Sequence, residues 1–256
     1  MIGQVNLLNN LSKYTSETLP HSILLLGPKG CGKHLLCERI AEIAEADLVD
    51  MTGNINLDYI QNMYLSSIPT VYMIDVNKLT EKQQNIILKL LEEPTDSIYL
   101  VLICTSRALL LDTVVNRCQQ FIFEPYSVDE LSKFLKVDCP ASVLKYCQTP
   151  GQVESINYKE LEQMEIIVNE LVHTIKYSDF LSKSREIIEK EYDLDLFYNI
   201  LANCLYEEYS NTNSTVAYNM YYAVTKAVTK LTDSRFARRN LLDSLMDDLW
   251  HATYGK

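Results

Sequence analysis

Residues Ser22 to His34, S-I-L-L-L-G-P-K-G-C-G-K-H, decide the fold class. An apolar run, Ile23 to Leu26, leads into a glycine-rich turn. An amphipathic stretch, H-L-L-C-E-R-I-A-E-I-A-E-A from His34, follows it. The turn itself is Gly27, Pro28, Lys29, Gly30, Cys31, Gly32 and Lys33, which matches the P-loop pattern G-x-x-x-x-G-K. Glycines let successive backbone N–H groups converge on phosphate oxygens. The helix that follows adds the positive end of its dipole. Lys33 supplies a point charge to the outer phosphates. Three of the chain's seven glycines fall here, between an apolar strand and a helix, so a chance turn accounts for the pattern poorly. The stretch predicts a nucleotide-binding α/β protein.

Working outward, V-Y-M-I-D (Val71 to Asp75) is a short apolar strand ending in a carboxylate. I-Y-L-V-L-I-C-T (Ile98 to Thr105) is continuously apolar, as in a parallel strand covered on both faces. Q-Q-F-I-F-E (Gln119 to Glu124) predicts a fourth strand. Between them T-E-K-Q-Q-N-I-I-L-K-L-L-E-E-P predicts a helix capped by Thr80 and stopped at Pro94. Strands and helices alternating with short connections indicate a wound parallel sheet.

After Pro125 the character changes. S-V-D-E-L-S-K-F-L-K predicts a helix starting at Ser127, with Glu130 placed for a capping box. Residues 141–156 predict another, broken at Thr149-Pro150-Gly151. From Tyr158 strand signals vanish and no glycine occurs until Gly255. Apolar stripes recur at Leu241, Leu242, Leu245, Met246, Leu249 and Trp250, and at Tyr221, Val224, Val228 and Leu231, as on amphipathic helices. These stripes read as core or subunit interface. S-N-T-N-S-T (Ser210 to Thr215) reads as a loop between two of these helices. The predicted organisation is an α/β domain over residues 1–126, a small helical lid over 127–157 and an all-helical domain over 158–256.

The chain has 256 residues, is 47% hydrophobic and carries a formal net charge of −11. That charge speaks against bulk binding of nucleic acid, which needs clustered Lys and Arg. Seven cysteines lack C-x-x-C spacing, which predicts free thiols and no zinc ribbon. The N-terminus lacks a basic flank and long apolar core, so no signal peptide is expected. No stretch reaches the ~20 apolar residues of a membrane span. A soluble, cytoplasmic protein is expected.

Position 34 departs from the P-loop pattern, with His34 where Ser or Thr supplies a hydroxyl to Mg²⁺. Imidazole is a poor ligand for that hard cation. The residues thus predict phosphate binding without metal-assisted hydrolysis, unless another residue or a water serves the metal. Asp75 occupies the place of a Walker B carboxylate, assigned to metal or to a helix cap. Val76 and Asn77 follow it where a second, water-polarising acid would stand. Glu92 and Glu93 read equally as a solvated helix end or as functional.

Together, V-Y-M-I-D, N-I-I-L-K-L-L-E-E-P, L-I-C-T-S and T-V-V-N-R-C-Q closely resemble bacterial DNA polymerase III clamp-loader subunits, a family of AAA+ proteins. The segment Leu19-Pro20-His21-Ser22 matches the Pro-His that precedes the family's P-loop. The likeness covers the first ~155 residues and is one of architecture beyond. It implies an AAA+ P-loop domain, a lid and a helical collar. Asn116-Arg117-Cys118 resembles the family's Ser-Arg-Cys motif, which implies that Arg117 is an arginine finger reaching ATP in a neighbouring subunit. Thr105 resembles sensor 1. Gln152 stands where a lid arginine is expected.

His34, Val76 and Gln152 each lack a group used in hydrolysis, whereas Arg117 is kept. This pattern resembles the delta-prime type, a stator that does not hydrolyse ATP. The resemblance implies ATP or ADP as ligand; His34 speaks against Mg²⁺, and no zinc is expected. It implies other clamp-loader subunits as partners, indirect engagement of the sliding clamp, and little direct contact with DNA. The family's four-cysteine zinc module is missing between the P-loop helix and Asp75. Rival readings are an ATP-hydrolysing motor subunit of the same assembly and a P-loop kinase or phosphotransferase.

Overall fold

The computed structural model describes residues 3–51, 67–93, 95–135, 141–173, 176–231 and 238–254, without the side chains of 141, 142, 229–231 and 238. Pro94, Cys139, Gly255 and the Leu231 side chain lie outside these. The chain divides into two compact units, Met1–Ser155 and Ile156–Lys256.

The first unit is built on five strands: β1 (Ser22–Leu26), β2 (Asp47–Asp50), β3 (Thr70–Asp75), β4 (Ile98–Cys104) and β5 (Gln119–Ile122). All pair in parallel, in the order β2-β3-β4-β1-β5. Leu24, Ile74, Leu100 and Leu102 project to one face, where Ile87, Leu90 and Val114 cover them. Ile23, Leu25, Met73, Val101 and Ile103 project to the other, under Leu7, Leu11, Leu36 and Ile40. A strand covered on both faces has no polar side to show, which is why β1 and β4 are apolar throughout.

The helices of this unit are α1 (Val5–Leu11), α2 (Lys33–Ala44), α3 (Glu81–Glu92), α4 (Asp112–Val115), α5 (Val128–Ser132) and α6 (Pro150–Ser155). Two strand tips are pinned early. His21 Nδ1 lies 2.8 Å from the Ile98 carbonyl oxygen, and its ring stacks on Tyr99.

Several expectations need correction. Strand β2 escaped the sequence because Asp47, Leu48 and Asp50 are exposed. An edge strand held by backbone pairing to β3 alone carries no hydrophobic pattern. Helix α1 was also missed. The Ser127 capping box forms, yet α5 stops at Ser132, because Leu131 is its one buried residue. Residues 141–146 form a 3₁₀ turn rather than an α-helix. The expected break at Thr149 is the start of α6, with Pro150 at the first helical position, where a missing N–H costs nothing.

Thr80 caps α3 reciprocally with Gln83. One turn on, the buried Gln84 bridges two elements. Its Nε2 donates to the Leu109 carbonyl at 2.8 Å, and its Oε1 accepts from Leu111 N–H at 3.0 Å. Gln84→Leu would leave both backbone groups without this partner. Unfolding in urea should show a loss of about 1–3 kcal/mol. An unchanged midpoint would mean that water replaces the amide.

The second unit is all-helical: α7 (Tyr158–Val172), α8 (Tyr177–Glu189), α9 (Leu194–Thr212), α10 (Thr215–Leu231) and α11 (Arg238–Tyr254). Helix α9 packs on α7 and α10, and α11 packs on α8 and α10. Leu241, Leu242, Leu245, Met246 and Leu249 are buried as expected. Val228 is 37% exposed, so the second stripe is not all core. The loop expected over 210–215 shrinks to Asn213 and Ser214. Asn213 adopts left-handed geometry (φ 52°), which ends α9. No helix among the described residues is long and apolar enough to cross a membrane.

Candidate functional site

Parallel strands bring their C-terminal ends to one edge, where ligands of open α/β sheets bind. Because β4 lies between β1 and β3, that edge sets Thr105 between the P-loop and Asp75. Gly30 (φ 81°) and Gly32 (φ 99°) give the loop its left-handed turns. Lys33 is 7% exposed. Its Nζ donates to the carbonyl oxygens of Gly27 (2.7 Å) and Pro28 (2.8 Å). An ammonium has three N–H donors. Two brace the loop, and the Cys31 sulfur lies 3.8 Å away. Burial pushes the Cys31 thiol up and Lys33 pulls it down, with burial the larger effect.

The outer face of the loop is held by Tyr126 and by the segment that starts α6. Thr149 Oγ1 donates to the Lys29 carbonyl at 2.9 Å. Gly151 N–H donates to the Gly30 carbonyl at 3.0 Å. Tyr126 Oη donates to the Cys31 carbonyl at 2.8 Å. Three consecutive carbonyls, those of Lys29, Gly30 and Cys31, are thus engaged. Beside the loop lies a largely apolar cavity of about 310 Å³, bordered by Gly32, Leu35, Tyr126, Phe134, Pro150 and Glu154.

Gln152 does not enter this space. Its Oε1 accepts from Gln148 N–H (2.7 Å) and Thr149 N–H (3.2 Å), while Thr149 Oγ1 accepts from Gln152 N–H at 3.4 Å. Thr-Pro-Gly-Gln is a reciprocal helix cap, and the T-x-x-Q spacing that announces it was there to be read.

At the tip of β3, Asp75 Oδ1 accepts from Asn77 N–H (3.1 Å) and Asn77 Nδ2 (2.6 Å). Lys78 Nζ lies 3.7 Å from Asp75 Oδ2. Asn77 Oδ1 in turn accepts from the Thr105 N–H (2.9 Å) and hydroxyl (2.7 Å). Asn77 therefore ties Asp75 and Thr105 together, a link that sequence reading missed. Val76 is buried. The Cys104 thiol, pushed up chiefly by burial, donates to the Ser106 carbonyl. Mg²⁺ needs several oxygen ligands. Here His34 is an exposed imidazole and Asp75 is already engaged. Asp75 is thus the carboxylate at this edge that could hold Mg²⁺, beside phosphate oxygens and waters. Among the described residues no group of three or more His, Cys, Asp or Glu could hold a metal ion.

Arg117 stands apart from this edge. It follows α4 and precedes β5, whose Gln119 pairs with Ile23 near the start of β1. At about 3.3 Å per residue, the P-loop at Gly27 begins roughly 13 Å further along the strand direction. The guanidinium is partly exposed. Nη1 donates to the Thr113 carbonyl at 2.8 Å, and Nη2 pairs with Glu92 Oε1 at 2.5 Å. Burial pushes the thiol of adjacent Cys118 up to about 12, and its side chain packs against the core.

Residues 56–127 match the family model described as "DNA polymerase III, delta subunit". Over that stretch the chain is similar to DNA polymerase III clamp-loader subunits. The curated relatives agree in kind. Probable replication factor C subunit 5 of Caenorhabditis elegans is 21% identical over 212 residues, covering 72% of this chain and 57% of that protein. DNA polymerase III subunit gamma of Buchnera aphidicola is 26% identical over 171 residues, covering 53% of this chain and 47% of that one. DNA polymerase III subunit delta' of Haemophilus influenzae is 31% identical over 105 residues, covering 36% and 32%. The chain thus spans between about a third and just over half of their lengths. Among solved structures, a DNA polymerase III gamma subunit-related protein of Thermotoga maritima superposes with a TM-score of 0.55. It is 12% identical and covers 98% of this chain and 100% of that one. Thermotoga maritima RuvB, described as a Holliday junction branch migration motor, gives 0.53 at 17% identity, covering 97% and 87%. These two likenesses show the fold of this chain and nothing finer.

Proposed function

We propose that this chain is a delta-prime-like stator of a clamp loader. It keeps a phosphate cradle, binds ATP or ADP there without turning it over, and lends Arg117 to the nucleotide of an adjacent subunit. The observation that carries the reading is the separation of Arg117 from its own P-loop along the sheet. A side chain at the N-terminal end of β5 serves a site that another chain brings to it. The local chemistry supports the other half. Asp75, Asn77 and Thr105 are occupied with one another, Val76 offers no acid, and Gln152 caps its own helix. The reading divides the chain into the AAA+ domain (1–126), a lid (127–157) that braces the loop, and a collar (158–256). Exposed Tyr206, Tyr218 and Tyr222 on α9 and α10 suit packing against other subunits.

The test is direct. The isolated chain is incubated in excess over radiolabelled ATP with Mg²⁺. Binding without turnover is expected, with affinity lost in Lys33→Ala. Hydrolysis that Lys33→Ala abolishes would make the chain a motor subunit.

A further inference from the structure

Glu92 has no place in the reading so far, yet it holds the one residue on which that reading turns. It ends α3, a helix fixed at its start by the Thr80 cap and in its first turn by Gln84. Helix α3 leaves the sheet just past the tip of β3 and returns to the opposite end, where its last carboxylate meets Arg117. The Arg117 fork then has two fixed points, Glu92 on Nη2 and the Thr113 carbonyl on Nη1. An arginine side chain carries five N–H donors. These contacts use two, and the guanidinium remains partly exposed.

We infer that Glu92 is a positioning residue for Arg117. Its carboxylate orients the guanidinium so that the remaining N–H groups point outward, toward a phosphate held by another subunit. An unrestrained arginine on the surface samples many rotamers and loses that freedom when it engages a ligand. A guanidinium already gripped at two nitrogens loses less. The same carboxylate offsets the charge while no phosphate is present. A surface pair of this kind contributes little to folding, so removing it should leave the chain intact.

The inference rests on Arg117 acting in trans. Full-length tagged chain carrying Glu92→Ala, Glu92→Gln, Arg117→Ala, or Glu92→Ala with Arg117→Ala replaces the native copy in the source cells. The complex recovered on the tag is titrated with Mg²⁺-ATP. Glu92→Ala should lower kcat by about tenfold with KM unchanged, as for a misplaced catalytic group. Glu92→Gln, which keeps an oxygen acceptor, should retain most of the rate. The double variant should be no slower than Arg117→Ala. A wild-type kcat in Glu92→Ala, or a double variant slower than Arg117→Ala by the full Glu92 factor, overturns the inference and leaves the trans-acting arginine standing. Partner subunits lost from the Glu92→Ala complex would make Glu92 an interface residue and also overturn it. A wild-type kcat in Arg117→Ala overturns the trans-acting reading, and the role of Glu92 with it.

Discussion

If the chain is the stator proposed above, Arg117→Ala should leave it folded and nearly abolish hydrolysis at the neighbouring nucleotide site that Arg117 would complete. Arginine fingers supplied in trans are worth about 10³-fold or more in kcat. The side chain is exposed, and its contacts are one carbonyl and one surface carboxylate, so the core does not depend on it. The loss should appear as a slower steady-state ATPase of the assembled loader, reduced by the share of that site. Thermal unfolding of the isolated variant should match the parent. Arg117→Lys should not restore the rate, because a point charge cannot present two parallel N–H groups to phosphate oxygens. An unchanged ATPase in the reconstituted complex would show that Arg117 is not a finger.

Gly151→Ala should lower both stability and nucleotide affinity. A Cβ at Gly151 would stand 2.7 Å from the Gly30 Cα and 3.0 Å from its carbonyl oxygen. Both are backbone atoms, and neither can swing aside like a side-chain tip. The methyl would push α6 off the P-loop and weaken the Gly151 N–H to Gly30 bond, and with it the Thr149 bond to Lys29. Overpacking of this kind costs about 1–3 kcal/mol. Urea unfolding should show a lower midpoint, and affinity for ATP should fall in parallel because the loop loses two of its three braces. Ser155→Ala, at an exposed site on the same helix, should change neither quantity. Equal midpoints for the two variants would mean that the lid and loop do not bear on one another.

The fold was legible wherever burial acts on side chains. Strands β1, β3 and β4 announce themselves because both faces are covered, and Thr80 and Ser127 announce their helices because a cap is a local exchange of hydrogen bonds. Strand β2 was not legible, since its partner is backbone. The candidate site was half legible. The cradle from Gly27 to Lys33 follows from spacing alone, and so does the absence of a hydroxyl at His34 and of an acid at Val76. The partners of those groups were not legible. Asn77 meets Thr105 across 28 positions and Tyr126 meets Cys31 across 95.

By itself, then, the sequence determined that the chain is a P-loop α/β protein with a helical second unit and an incomplete hydrolytic set. Those features depend on residue type and short spacing. Only the tertiary structure decided that the lid grips the loop through Gly30 and Gly151. It alone set Asp75 and Thr105 on either side of one asparagine, and Arg117 at the far end of the sheet beside Glu92. Strand order fixes which tips become neighbours and which ends lie apart. That order is set by how the whole sheet packs, and no local run of residues records it.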